Sequence, residues 1–220
     1  MHSTKKEKTK MKKMAVICAN GRAGKEIVKE AVRRGLDVTA VARHANQSAA
    51  EKFIQKDLFA LTREDLAGFD VVIDAFGAWT EKTLPLHVTS VTHLCDLLSG
   101  TKTRLLVVGG AGSLYTNKEH TRRVMDAPDF PAAFMPAAIY TAKALDALHR
   151  RNDVAWTCIS PACDFCADGK KTGSYFLAGE ELTLNEKGES IISYADYAAA
   201  MIDEAVERRH VKERISVAAR

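Results

Sequence analysis

The amino-acid sequence predicts an α/β fold, a doubly wound parallel sheet with helices on both faces. Three observations carry that expectation. Short β-branched apolar runs alternate with longer helical patterns along the whole chain. The runs are hydrophobic nearly throughout, which suits strands covered on both sides. The first run, MAVI, enters a glycine-bearing turn, CANGRAG at 18–24, and a helical stretch follows directly. At 220 residues and 46% apolar composition the chain has the size of one well-cored domain, and dividing it would leave two small ones.

In chain order, residues 1–13 come first, with six lysines against Glu7, a net +5. The whole chain is formally +4, so residues 14–220 sum to −1. A leader this polar is expected to be disordered, and the domain is expected over 14–220. Strands are expected at 14–18, 37–42, 52–55, 71–74, 104–108 and 155–159. Helices at 25–34, 84–98 and 136–151 fall between them, and Gly35 and Gly100 follow the first two as C-terminal caps. Thr62, three residues before Asp65, marks a short capped turn. After the sixth strand the pattern changes. GSYFLAGEELTLNEKGES, at 173–190, reads as two short extended segments separated by glycine-containing turns, a small C-terminal insertion on the substrate side of the sheet. An amphipathic helix over 192–208 and a closing strand, RISVA at 214–218, complete the chain.

Composition removes several classes of function. The pI near 8.7 belongs to the leader, so the domain gives no electrostatic reason to expect a nucleic acid partner. No run of about 18 apolar residues occurs and the leader lacks the apolar stretch of a signal peptide, so no membrane partner is expected and the expected location is cytoplasmic. Five cysteines (Cys18, Cys95, Cys158, Cys163 and Cys166) are an odd count that argues for reduced thiols. The histidines show no metal-ligand spacing, and no metal is expected. Cys158, Cys163 and Cys166 lack the fourth ligand of an iron–sulfur run; Cys163 and Cys166 read as small, partly buried fillers near the ligand pocket, with a Cys163–Cys166 redox pair as the alternative.

In an open α/β sheet, ligands sit beyond the carboxyl ends of the strands where strand order reverses, and the first strand-to-helix turn is that place. Unpaired N–H groups at a helix start, together with the helix dipole, attract a phosphate. Gly21 and Gly24 allow close backbone approach, and strand, loop, helix and second strand follow one another within about 30 residues, as in a dinucleotide-binding Rossmann unit. The stretch MAVICANGRAGKEIVKEAVRRGLDVTAVAR resembles the start of the atypical short-chain dehydrogenase/reductases, in particular the small NAD(P)H-binding proteins labelled NADH-flavin reductases and related to the NmrA-like group. DVVIDAFGAW, RLLVVGGAGSLYT, APDFPAAF, WTCISPA, KKTGSYFLAGEEL and GESIISYADYAAAMIDE continue the resemblance in order, from Met14 to the C-terminus.

The resemblance implies a Rossmann-like NAD(P)-binding domain whose usual G-x-x-G-x-x-G loop maps onto Cys18, Gly21 and Gly24, with Asn20, Arg22 and Ala23 between them. Cysteine replaces the first glycine. Binding is expected to survive on the two remaining glycines, and a thiol near a helix N-terminus leaves open an oxidisable switch at Cys18. Asp57 and Leu58 are implied beside the adenine, Phe76 and Gly77 on the adenosine side, and Gly109 and Pro161 after the fifth and sixth strands. The second strand ends in Arg43, with His44 next and no acid until Glu51. An acid there would hold the ribose hydroxyls of NAD, whereas a guanidinium pairs with the 2′-phosphate of NADP. The cofactor expected is therefore NADP(H), with NAD(H) left open and Arg22 adding charge.

The wider family uses Ser, Tyr and Lys, with the tyrosine four residues before the lysine. Here IYTAK places Tyr140 three residues before Lys143 and Ile139 where the tyrosine belongs. A three-residue step still shares a helix face, so Tyr140 and Lys143 remain catalytic candidates. Ser113 and Tyr115 in GGAGSLYT are expected to border the nicotinamide, the family's serine aligning nearer Gly110. So weak an acid apparatus favours a small planar acceptor that takes hydride into a delocalised ring, such as a flavin or quinone. The expected function is NAD(P)H-dependent reduction of such a small molecule. The alternatives are a non-catalytic NADP(H) sensor of the NmrA kind and a nucleotide-sugar epimerase or dehydratase, which usually needs the intact tyrosine and a larger substrate domain. A homodimer is left open.

Overall fold

The computed structural model describes residues 12–220. The expected leader lies outside the described residues as far as residue 11. Lys13, assigned to that leader from composition, instead opens the first strand: its N–H donates to Asp70 Oδ2 at 2.9 Å and it pairs with Asp37.

Elements alternate as the pattern predicts: β1 (Lys13–Ile17), α1 (Arg22–Arg33), β2 (Asp37–Ala42), β3 (Lys52–Gln55), β4 (Val71–Asp74), α2 (Leu86–Leu98), β5 (Arg104–Val108), α3 (Met135–His149) and β6 (Ala155–Ser160). Then follow β7 (Asp164–Cys166), β8 (Tyr175–Ala178), β9 (Ile191–Ser193), α4 (Tyr194–Glu207) and β10 (Glu213–Ala219). Eight strands make one sheet in the order β3-β2-β1-β4-β5-β6-β10-β8, parallel except for β8 against β10. Chain order reverses on either side of β1, so a crevice opens beyond the carboxyl ends of β1 and β4. One face is covered by α1 and α4 over Val16, Ile73 and Ile215, the other by α2 and α3 over Ile17, Val72 and Trp156. Among the described residues no helix is long and apolar enough to cross a membrane.

Local chemistry sets the ends of the elements. Gly35 and Gly100 take φ of 68° and 70°, the left-handed region in which glycine carries no Cβ penalty, and they end α1 and α2 where the sequence places caps. Thr62 Oγ1 accepts from Asp65 N at 3.4 Å while Asp65 Oδ2 accepts from Thr62 N at 2.7 Å, the reciprocal cap the sequence implies. α2 starts at Leu86 rather than 84, since Pro85 occupies its cap position. α4 starts at Tyr194 rather than 192, because Ile191–Ser193 pairs in parallel with Asp164–Cys166 as a second, two-stranded sheet. In the insertion only Tyr175–Ala178 forms a regular strand; the second expected extended segment makes a single bridge, Glu181 to Tyr115.

Two polar networks fasten the fold. Ser193 Oγ caps α4 by accepting from Asp196 N at 3.0 Å, and the buried Asp196 carboxylate accepts from the N–H groups of Thr172 and Gly173 at 3.0 and 2.8 Å. Buried Glu30 of α1 accepts from Arg33 and Arg34, each at 2.7 Å, and from Lys171 at 2.6 Å, which ties the insertion to α1. The Arg33, Lys171 and Arg34 bonds hold its carboxyl well below the usual range against burial. Where β5 begins and α4 ends, fully buried Arg104 of β5 pairs with fully buried Glu204 of α4, whose other oxygen bonds His210 Nδ1 at 2.8 Å.

Candidate cofactor site

The loop after β1 is built around a non-glycine residue in a glycine conformation. Cys18 has φ of 60°, so β1 ends at Ile17 and not, as expected, at Cys18. For a residue with a Cβ this conformation costs about 1–2 kcal/mol. The turn it makes is closed by Gly21 N–H donating to Cys18 O at 2.9 Å. A Cβ on Gly24 would stand 2.5 Å from Cys18 O and 2.9 Å from Ala19 Cα, so only glycine lets α1 approach the strand this closely. Asn20 fastens the loop to the segment after β2: Nδ2 donates to Ala45 O at 2.9 Å and Oδ1 accepts from Gln47 N at 2.8 Å.

α1 begins with no side-chain cap and no acid in its first turn, and Lys25 is the first to bond back, onto Gly21 O at 2.9 Å. The N–H groups of Arg22, Ala23 and Gly24 precede that first bond, and exposed Arg22 stands among them. This donor set fits a phosphate, and the protein supplies no anion of its own there. The Cys18 thiol is pushed up to about 12, chiefly by burial and then by the charge of Asp74. Burial thus speaks against the alternative of an oxidisable switch and for Cys18 as a tolerated small residue. The helix begins only at Arg22, four residues on, and burial favours the neutral thiol.

At the end of β2, Arg43 leaves the strand with its side chain 70% exposed, its Nε 3.7 Å from Asp57 Oδ2. Asp57 stays half-exposed, capping a 3-10 turn by accepting from Phe59 N at 2.9 Å. The Leu58 side chain turns away from the crevice into the core.

The other end carries the remaining candidates. Phe76 is half-buried and Gly77 exposed after β4, while Pro161 is buried after β6. Gly109 sits so tightly over β6 that a Cβ would lie 2.8 Å from Cys158 Sγ. Ser113 is buried, its hydroxyl accepting from Arg214 at 3.2 Å. Tyr115 stacks on His120 with centroids 4.4 Å apart and lies 5.7 Å beneath each of the Arg123 and Arg214 guanidiniums. Lys143 Nζ rests over the Tyr140 ring, 4.9 Å from its centroid. Ser113 and Tyr115 therefore belong to one cluster with Arg214 and Glu180, and Tyr140 and Lys143 form a separate pair on α3.

Two residues with no role in the sequence reading also stand here. Asp74, the last residue of β4, is buried with its carboxylate accepting from Phe76 N at 3.0 Å, and burial pushes it up to about 6. His87 of α2 faces the same cavity, edge-on to Phe76 at 5.4 Å, with Nε2 3.1 Å from Ala78 O; burial lowers its pKa. The acid in DVVIDAFGAW is the only sequence signal for the first, a charge closing an apolar run.

A family model described as NAD(P)H-binding matches residues 18–207, from the turn at Cys18 to the end of α4. The chain belongs to this NAD(P)H-binding family. The NAD(P)H-binding chain is 44% identical over 208 residues to the uncharacterised protein YwnB of Bacillus subtilis (strain 168), covering 93% of this chain and 97% of that one. A crystal structure from Streptococcus pneumoniae TIGR4, of a protein provisionally named an NADH-flavin reductase, superposes with a TM-score of 0.93 at 57% identity, covering 95% of this chain and all (100%) of the other. A provisionally named epimerase from Bacteroides thetaiotaomicron superposes with a TM-score of 0.83 at 34% identity, covering 96% and 98%. The NAD(P)H-binding assignment agrees with the strand order, the crevice and the uncapped helix start.

Proposed function

We propose that this chain is an NADPH-preferring oxidoreductase that delivers hydride to a small planar acceptor such as a flavin or quinone. The observation that carries the acceptor class is that the candidate acids do not converge: Lys143 lies over the Tyr140 ring at 4.9 Å on α3, while Ser113 is buried in a separate cluster, its hydroxyl accepting from Arg214 at 3.2 Å. Reducing an isolated carbonyl calls for a positioned proton donor. A conjugated ring spreads the incoming charge and takes its proton from water, so it needs none. The bound dinucleotide supplies a hydride and leaves oxidised. The chain's own contribution is to seat it: the N–H groups at the start of α1 hold the pyrophosphate, and Arg43 meets the 2′-phosphate. The provisional name of the Streptococcus pneumoniae relative supports the same reading.

The resting place of Lys143 equally favours a second reading, a redox sensor that binds NADP(H) without turning it over. Mixing the protein with NADPH and a panel of flavins, quinones and carbonyls, and following loss of NADPH absorbance, separates the two. Turnover confined to the ring acceptors is expected; tight NADPH binding with no turnover on any acceptor would establish the sensor. In the same assay Arg43→Ala should lose about tenfold or more of the preference for NADPH over NADH, the effect of a charge-assisted bond of about 1.5–3 kcal/mol. Equal affinities for the two cofactors in the parent protein would refute the NADPH preference.

A further inference from the structure

Among the described residues, the two most exposed large apolar side chains are Trp79, at 74%, and Phe134, at 57%. A single exposed aromatic is ordinary. These two stand on the segments that leave the carboxyl ends of neighbouring strands. Trp79 follows β4 by five residues, and Phe134 occupies the N-cap position of α3, reached from β5. Both are held on fixed backbone. The loop bearing Trp79 is pinned by His87, whose Nε2 meets Ala78 O at 3.1 Å, and the indole Nε1 lies 3.7 Å from where a Cβ of Gly77 would be. The first turns of α3 sit directly on the loop after β5: a Cβ on Gly112 would stand 2.6 Å from Ala138 Cβ, and one on Gly110 would stand 2.6 Å from Thr141 Oγ1.

We propose that Trp79 and Phe134 form the acceptor mouth of the crevice, receiving the flat conjugated ring of the acceptor by stacking. Arg43 ends β2 and Asp57 follows β3, while Trp79 and Phe134 stand on the segments that connect β4 to α2 and β5 to α3, across the point where strand order reverses. Ring faces left in water at a ligand crevice gain from covering by another π-system, and stacking accepts any flat ring without reading its substituents. The inference rests on the planar-acceptor reading given above and names the residues that would select for it.

The chain has only two tryptophans, and the other, Trp156, is 1% exposed in the core, so Trp79 is an intrinsic reporter. FMN is titrated into protein saturated with NADP+, where no turnover occurs, and emission is compared between the parent and Trp79→Phe. Flavin-dependent quenching in the parent that greatly exceeds the residual Trp156 signal of the variant is expected. In steady state, Trp79→Ala and Phe134→Ala should each raise KM for FMN about tenfold, with KM for NADPH and kcat within about threefold. Both positions are exposed, and Trp79→Phe, which keeps a ring, should recover most of the effect. Turnover of FMN with unchanged KM in both alanine variants overturns the mouth and leaves the reductase reading standing. A matching rise in KM for NADPH also overturns it, by assigning the pair to the cofactor. Quenching without turnover keeps the mouth and rejects the reductase; neither quenching nor turnover removes both.

Discussion

Cys18 shows how one residue can hold a conformation its side chain disfavours. Replacing it by glycine removes the Cβ from a φ of 60° but also empties a partly buried position, two effects of similar size and opposite sign. Affinity for NADPH should therefore stay level or improve, up to about tenfold if about 1.4 kcal/mol of strain is released. Calorimetry showing a clear loss would mean the thiol contributes to the site. With its thiol pushed up to about 12, Cys18 should also be spared by mild peroxide while exposed Cys163 reacts first, as peptide mass mapping can tell. Asp74 makes a sharper case. Burial raises it from 3.8 to about 6, so the folded state favours the protonated acid. Its contribution is fully present below about pH 3.8 and lost as pH rises through 6. Asp74→Asn, which keeps the acceptor for Phe76 N–H, should be more stable than the parent at pH 8 by up to about 3 kcal/mol, the advantage closing near pH 4. Urea melts at the two pH values decide it; an equally destabilised variant at both would show that the ionised form is what the fold requires.

At the level of elements, caps and short pairings decide where the chain turns. The Ser193 hydroxyl both caps α4 and bonds Asp196, which in turn holds Thr172 and Gly173. Ser193→Ala should cost about 1 kcal/mol of stability, the ordinary value of an N-cap. Asp196→Ala should cost more and expose 167–174 to trypsin at Lys170 and Lys171; proteolysis no faster than in the parent would remove that assignment. The longer parallel strands and the four helices are legible in the sequence, because each repeats its apolar period long enough to be counted and because Gly35 and Gly100 follow the ends of α1 and α2. β7 and β9 are not. Three residues carry no period, and their pairing joins Asp164 to Ile191 across a long stretch of chain, held by Phe165 against Tyr194 and Tyr197. The turn after β1 and the end of β2 at Arg43 are legible as places in the chain for the same reason as the strands, being fixed offsets from them. Asp74, His87 and the packing of Ser113 against Arg214 are not, since they come together only when β4, α2 and β10 meet in space.

Over the whole molecule, the candidate crevice and the buried Arg104–Glu204 pair occupy opposite edges of the sheet. The crevice lies beyond the carboxyl ends of β1 and β4, whereas the Arg104–Glu204 pair closes the edge where β5 begins and α4 ends. Burial pushes the Glu204 carboxyl up, but Arg104 and His210 outweigh it and hold it below its ordinary value. Glu204→Gln leaves the buried guanidinium without a counter-charge and should cost about 3–5 kcal/mol. Affinity for NADPH, measured on protein kept cold and folded, should not move, because the edges are separated by the length of the strands. A parallel tenfold loss of affinity would show that the two edges are coupled.

Lys171, just before the insertion, reaches Glu30 on α1, the helix that starts without a side-chain cap, and the next two residues are gripped by Asp196 at the head of α4. The segment from Asp164 to Ser193 is thus bolted at two points to the frame that carries the cofactor, and its β7–β9 pair and aromatic cluster ride on the same frame. A dinucleotide that quiets α1 should quiet this arm as well, without touching it. Slower amide exchange across 164–193 on adding NADP+, abolished by Lys171→Ala, would be the signature of a cofactor that readies the far wall of the crevice before the second substrate arrives.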